Sequence, residues 1–165
     1  MGETGRITLR LADEADESFD FRLFVAGRPE LAWIDGLDGG QRLRLLRQQF
    51  HCQRESLART YHGMESNIVC LEGEPVGRLL IHRGEREFRI LDVTLLPEYR
   101  SRGIGGTLLA GIAREAAGEG KPVSIQVAWY NRRARSLYER LGFTAVRDTG
   151  VYCEMRCAPS VAARE

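Results

Sequence analysis

Lysine is all but missing from this chain: Lys121 is the only one, although lysine and arginine together number 24. A P-loop needs Gly-Lys-Ser/Thr at the end of its glycine turn, so nucleoside triphosphate chemistry of that kind is not expected. The 4 cysteines, Cys52, Cys70, Cys153 and Cys157, form no Cys-x-x-Cys and no metal-ligand spacing. Cys153 and Cys157 are separated along a strand-like run by roughly 13 Å, too far for a disulfide. His51, His62 and His82 are scattered, which suggests neither a zinc set nor a histidine-based triad, and no metal is expected. No apolar run approaches the ~20 residues of a membrane span, and the start lacks the basic-then-apolar order of a signal peptide. Arg6 stands where a myristoylation start requires Ser or Thr. A net charge of +1 gives no global attraction to nucleic acid or to an anionic membrane. A cytoplasmic protein that binds neither is the expectation.

What is present fits one domain. A chain of 165 residues, 43% hydrophobic and 28% charged, has the length and composition of a single globular unit. That unit is expected over residues 6–157, with flexible ends at 1–5 and 158–165. Ile7 to Leu11 alternates as a strand, and the acidic run from Asp13 to Ser18 opens a helix reaching about Gly27. Pro29 to Gly40 reads as a break, with Gly39-Gly40 as turn material. Leu43, Leu46, Phe50, Leu57 and Tyr61 then keep helical spacing up to Gly63. Residues 67–71 and 75–82 flank a hairpin turn, and a further strand runs from Phe88 to Leu96. A helix-like run starts at Thr107, a strand spans 123–130, another helix follows, and a last strand pair covers 143–155. The order is β-α-α-β-β-β-α-β-α-β-β.

The junction Arg100-Ser-Arg-Gly-Ile-Gly-Gly106 carries the most chemistry. A strand, a glycine turn and a helix aim free backbone N–H groups and a positive helix end at one spot, which makes an anion site. A Rossmann fingerprint counted from Gly103 fails, because position 108 is Leu. Arg-x-x-Gly-x-Gly, with Pro97 three residues ahead, resembles the acyl-CoA pyrophosphate loop of the GNAT acetyltransferase superfamily. Downstream, Asn131-x-x-Ala134-x-x-x-Tyr138-x-x-x-Gly142-Phe143 is similar to the second half of that family's signature. Asn131 also suits a helix N-cap and Gly142 a helix end.

The resemblance covers almost the whole chain and implies an α/β (α+β) GNAT fold. That fold has a mixed, mostly antiparallel sheet, splayed between its fourth and fifth strands, with about four helices. It implies acetyl transfer from acetyl-CoA to a primary amine of a small molecule or peptide, by direct attack in a ternary complex, in a monomer or homodimer. Arg100, Arg102, Gly103, Ile104, Gly105, Gly106 and Thr107 would meet the pyrophosphate, and Leu95, Leu96 and Asn131 the rest of the donor. The backbone N–H of Leu95 would hold the thioester oxygen, and Tyr138 would be the general acid for the departing thiolate. The position of a glutamate base in some members falls at or near Arg89, which cannot do that work. Asp92 is the remaining candidate, as base, substrate contact or structural carboxylate, expected on one strand face with Phe88 and Ile90. Trp33, Asp35, Asp38 and Tyr152 are candidate acceptor contacts. A CoA-binding sensor without turnover, and a module with no cofactor, are the alternatives.

Overall fold

Local signals set most of the elements. In this computed structural model residues 5–28 and 36–159 are described; Trp33, Asp35 and most of the expected flexible ends lie outside them. The alternating segment Ile7–Leu11 is β1. A 3-10 turn at Glu14–Asp16 then leads into α1, Glu17–Ala26. Asp13 accepts from the N–H of Ala15 at 2.8 Å, while the Asp16 carboxylate accepts from the N–H of Asp13 at 2.9 Å. This reciprocal cap satisfies donors that a helix start leaves open. The Arg10 guanidinium grips the same Asp16 through both nitrogens, at 2.8 and 2.9 Å. Together, Arg10 and the Asp13 N–H hold the Asp16 carboxyl down from 3.8 to about 2.

The glycines at 39 and 40 are not turn material, as their composition suggested. They are the first two residues of α2, Gly39–Thr60. Asp38 accepts from Gln41 N–H at 2.8 Å and Gln41 reaches back to Asp38 N–H at 3.1 Å, so the capping box outweighs glycine's poor propensity. Leu46 and Phe50 of α2 are buried against Phe21 and Phe24 of α1, whereas Leu43 is 46% exposed. Phe50 stacks edge-on with both α1 rings, centroids 5.7 and 5.5 Å apart.

The remaining elements are β2 (Glu65–Leu71), β3 (Glu74–Arg83), β4 (Phe88–Leu95), α3 (Ile104–Gly118), β5 (Val123–Ala128), α4 (Arg132–Arg140), β6 (Thr144–Asp148) and β7 (Tyr152–Cys157). β4 stops one residue before Leu96, and β5 stops before Trp129-Tyr130, which turn toward α4. The seven strands form one sheet in the order β1-β2-β3-β4-β5-β7-β6. β4 and β5 are parallel, and every other pair is antiparallel. The parallel pairing covers only Phe88↔Val123, Arg89↔Ser124 and Ile90↔Ile125. Beyond Ile90 the strands part, which is the expected splay.

The two sheet faces carry different layers. Leu79, Ile81, Phe88, Ile90, Ile125 and Met155 pack with Ile104, Leu108, Leu109 and Ile112 of α3 and with Tyr138 of α4. α1 and α2 cover the opposite face. Apolar residues of α3 at 104, 108, 112 and 116 repeat every fourth position, which lays one stripe on the core. Each fully buried aliphatic side chain there contributes about 1.5–3 kcal/mol.

Simple alternation fails at one point in β4. Leu80 pairs with Asp92 while the next residue, Ile81, pairs with Ile90, so Leu91 is an extra, bulged residue. Paired residues share a face, and Leu80 and Ile81 point oppositely. Asp92 therefore lies on the α1/α2 face with Leu80 and Arg78. This corrects the expectation that it shares a face with Phe88 and Ile90.

Candidate active site

The gap between β4 and β5 is lined by backbone that has lost its partner strand. The Leu96 N–H bonds to the Val76 carbonyl of β3 at 2.9 Å. Strand N–H groups alternate in direction, so the N–H of Leu95 points the other way, into the gap. The side chain of Leu96 is buried at 5% exposure. Of the two leucines, only Leu95 turns a backbone donor toward the space.

At the mouth of the gap the glycine loop starts α3. Gly103 takes φ 80°, a left-handed value that suits a residue without Cβ, and α3 begins at Ile104 rather than at Thr107. No side chain of the described residues caps this N-terminus, so the first-turn N–H groups are available to an anion. A Cβ at Gly105 would have Leu137 Cδ2, at 3.9 Å, as its nearest neighbour, and one at Gly106 would have Leu137 Cδ1 at 3.5 Å. The protein's own packing leaves room at both, as a cradle for an outside group would. Ser101 is held at φ 65°, a strained value for a residue with a side chain, and Arg133 of α4 donates to its hydroxyl. The sequence reading missed Arg133; its place in the Asn131 motif was the available signal.

The loop arginines divide their work. The Arg100 Nε donates to the Leu95 carbonyl at 3.1 Å and Nη2 to the Ala26 carbonyl at 3.2 Å, tying the loop to β4 and to the end of α1. Arg102 lies exposed over the Tyr99 ring, 5.2 Å from its centroid. Asn131 caps α4 by accepting from the Ala134 N–H at 3.2 Å, which leaves its amide NH₂ unused by that cap.

Tyr138 sits at 7% exposure beside Phe143, with ring centroids 5.9 Å apart. Burial, and secondarily the charge of Asp92, push its phenol up from 10.0 to about 12. It therefore stays protonated across the neutral range. No hydrogen bond to a described residue contributes to that shift.

Asp92 has partners. Arg78, whose side chain is 1% exposed, donates to it, and the Thr94 hydroxyl donates at 3.0 Å. Asp20 of α1 lies 3.8 Å from Arg78 and accepts from Arg54 of α2 at 2.5 Å. This buried charge network joins both helices to the bulged strand. Arg89 donates to Ser124 Oγ at 3.1 Å and to Glu154 of β7 at 2.5 Å. Its face is that of Ser124, Glu154 and Tyr152, the α1/α2 side. Tyr152, like Trp129 and Tyr130, is an exposed aromatic. Among the described residues no group of three or more His, Cys, Asp or Glu could hold a metal, and no helix is long and apolar enough to cross a membrane.

Comparisons with known proteins bear on the family and the fold. The profile described as the acetyltransferase (GNAT) family matches residues 30–143. A thialysine N-epsilon-acetyltransferase of Bos taurus is 30% identical over 93 residues, covering 50% of this chain and 55% of the relative. An uncharacterized N-acetyltransferase of Bacillus subtilis (strain 168) is 38% identical over 73 residues, covering 42% of this chain and 47% of the relative. The chain thus spans about half the length of the curated relatives it matches. The crystal structure of the PaiA N-acetyltransferase from Thermoplasma acidophilum, in complex with coenzyme A, is similar with a TM-score of 0.70. Its identity is 16%, over 93% of this chain and 99% of that one, a likeness of fold.

Proposed function

Because the chain belongs to the GNAT acetyltransferase family, we propose that it transfers an acetyl group from acetyl-CoA to a primary amine by direct attack in a ternary complex. The observation that carries the reading is the parted strand pair. Beyond the last pair the N–H groups of Val93 and Leu95 face the gap, that of Leu95 nearer its mouth, where an uncapped helix starts. The N–H groups of Arg102 to Gly106 would hold the pyrophosphate, with the open side of Gly105 and Gly106 against it. That of Thr107 is bonded to the Gly103 carbonyl at 3.0 Å, so Thr107 would offer its hydroxyl instead of the backbone donor expected of it. Asn131 would use its amide NH₂ on the donor's peptide-like arm. Leu95 would bond the thioester oxygen and stabilise the charge that develops there.

The amine nitrogen bonds to the acetyl carbon, the carbon–sulfur bond breaks, and the sulfur leaves as a thiolate. Tyr138 is the phenol that would meet it. Full proton transfer from a group at about 12 to a thiolate of about 8.5 is uphill by roughly 5 kcal/mol. Hydrogen bonding to the departing sulfur is therefore the larger part of what Tyr138 gives, and water completes the protonation. Tyr138 packs with the α3 layer, whereas Asp92 lies on the α1/α2 side. The leaving group and the incoming amine would thus be served from opposite faces of the sheet. Asp92, held by Arg78 and Thr94, suits an acceptor contact; the amine's proton would leave through water.

Arg89 favours a second reading. It lies at or near the position where some members of the family carry a glutamate base and is tied to Glu154, as a CoA-binding sensor without turnover would allow. Thiol release from acetyl-CoA with a panel of amines separates the two, because a sensor binds and releases nothing. Gly105→Glu, which fills and repels the anion cradle, should abolish the thermal shift that acetyl-CoA produces. A retained shift would overturn the loop assignment.

A further inference from the structure

Gly77 of β3 lies opposite Leu95 of β4. It has no positive φ, so its backbone conformation does not call for glycine. Its surroundings do. A Cβ at position 77 would lie 2.6 Å from the Thr94 carbonyl oxygen, 2.6 Å from Leu95 Cδ2 and 3.3 Å from Leu95 Cα. The Thr94 carbonyl and the Leu95 N–H are the two ends of one planar trans peptide. The oxygen points at β3 and the N–H points into the gap.

We propose that Gly77 is a positioning residue for acyl transfer: its missing side chain lets β3 close on the Thr94–Leu95 peptide and thereby aims the Leu95 N–H. This rests on the reading of Leu95 as the donor to the thioester oxygen. The neighbouring groups hold the same peptide from other sides. Leu96 N–H is bonded to Val76, and Arg100 holds the Leu95 carbonyl. Magnitudes favour an effect on aim rather than a small loss of packing. Relief from 2.6 Å to ordinary contact at about 3.5 Å needs roughly 0.9 Å of movement. The window in which an oxyanion donor acts, roughly 2.7–3.1 Å, is narrower than that.

The test reads the thioester carbonyl itself and needs no acceptor. Acetyl-CoA labelled with carbon-13 at the acetyl carbonyl is bound to the protein, and its stretching frequency is compared with that in water by infrared difference spectroscopy. CoA affinity is measured in parallel by calorimetry. The wild-type protein should lower the stretch. Gly77→Ala should lose most of that lowering while CoA affinity holds, because the pyrophosphate loop is untouched. Gly111→Ala, at a helical glycine where the added carbon meets nothing within 4 Å beyond the adjoining residues and backbone of its own helix, should keep both. The double variant Gly77→Ala/Leu95→Ala relieves the side-chain contact but keeps the one with the Thr94 oxygen, so it should still lack the lowering. It also carries the test if the single variant does not fold. A full lowering in either protein carrying Gly77→Ala overturns the role of Gly77 alone. An unshifted carbonyl in the wild-type protein overturns Leu95 as donor, and the proposal with it.

Discussion

Tyr138 and Asp16 show how one side chain's surroundings decide what it does. Tyr138 is buried and its phenol lies near 12, so it stays a proton donor throughout the usual range of assay. Tyr138→Phe should lower turnover by about a hundredfold, the low end of what a positioned acid contributes, with CoA affinity nearly unchanged. The ratio of the two rates should stay flat between about pH 6 and 10. A ratio that varies with pH would mean the tyrosine titrates in that range. Asp16 is shifted the opposite way, from 3.8 to about 2. A carboxyl lowered by folding contributes stability that is complete above its unfolded value and lost as pH falls through its folded value. Between pH 3.8 and about 2, the wild-type protein should therefore lose melting temperature more steeply than Asp16→Asn. Parallel slopes in a pH series of thermal melts would remove Asp16 from the acid transition. Both residues were visible as sequence, but only Tyr138 stood in a motif that suggested a role. Its spacing from Asn131 is a local helical signal, whereas the hold on Asp16 depends on Arg10 in another element.

Local capping and turn chemistry explain why most elements fall where the sequence puts them. The glycine loop, the Asn131 cap and the β2–β3 hairpin all depend on residues a few positions apart. The bulge at Leu91 does not, because it exists only in the pairing of β4 with β3. Period-two reading carried straight through it and assigned Asp92 to the wrong face. The same pairing hides the roles of Gly77 and Arg78, which look like a glycine and an arginine inside an apolar strand. Arg78 is nonetheless the centre of a network joining α1, α2, β3 and β4. Removing one member of a buried pair leaves the others uncompensated. Arg78→Met should cost about 3–5 kcal/mol, read as a lower urea midpoint. A loss below about 1 kcal/mol would mean that water already serves the two carboxylates.

The whole molecule has a fold that the element order anticipated. The fold follows from alternation and glycine turns along the chain. The acceptor contacts proposed at Asp92 and Tyr152 depend on how β4 and β7 meet the rest of the sheet, which no single stretch records. The seam itself has a practical consequence. Residues 7–95 build the four strands on one side of it and residues 123–157 the three on the other, and the strands pair across it at only three positions, beside the shared core and the bonds of Arg89. The exposed turn at Gly120 lies between them. Cut there, the protein becomes two complementary fragments whose division follows the line a bound donor would bridge. Acetyl-CoA should then act as a staple: fragments 1–120 and 121–165, mixed at low concentration, should reassemble more tightly with it than without it. Native mass spectrometry of the mixture would show this, and equal assembly in both conditions would mean that the donor does not straddle the seam.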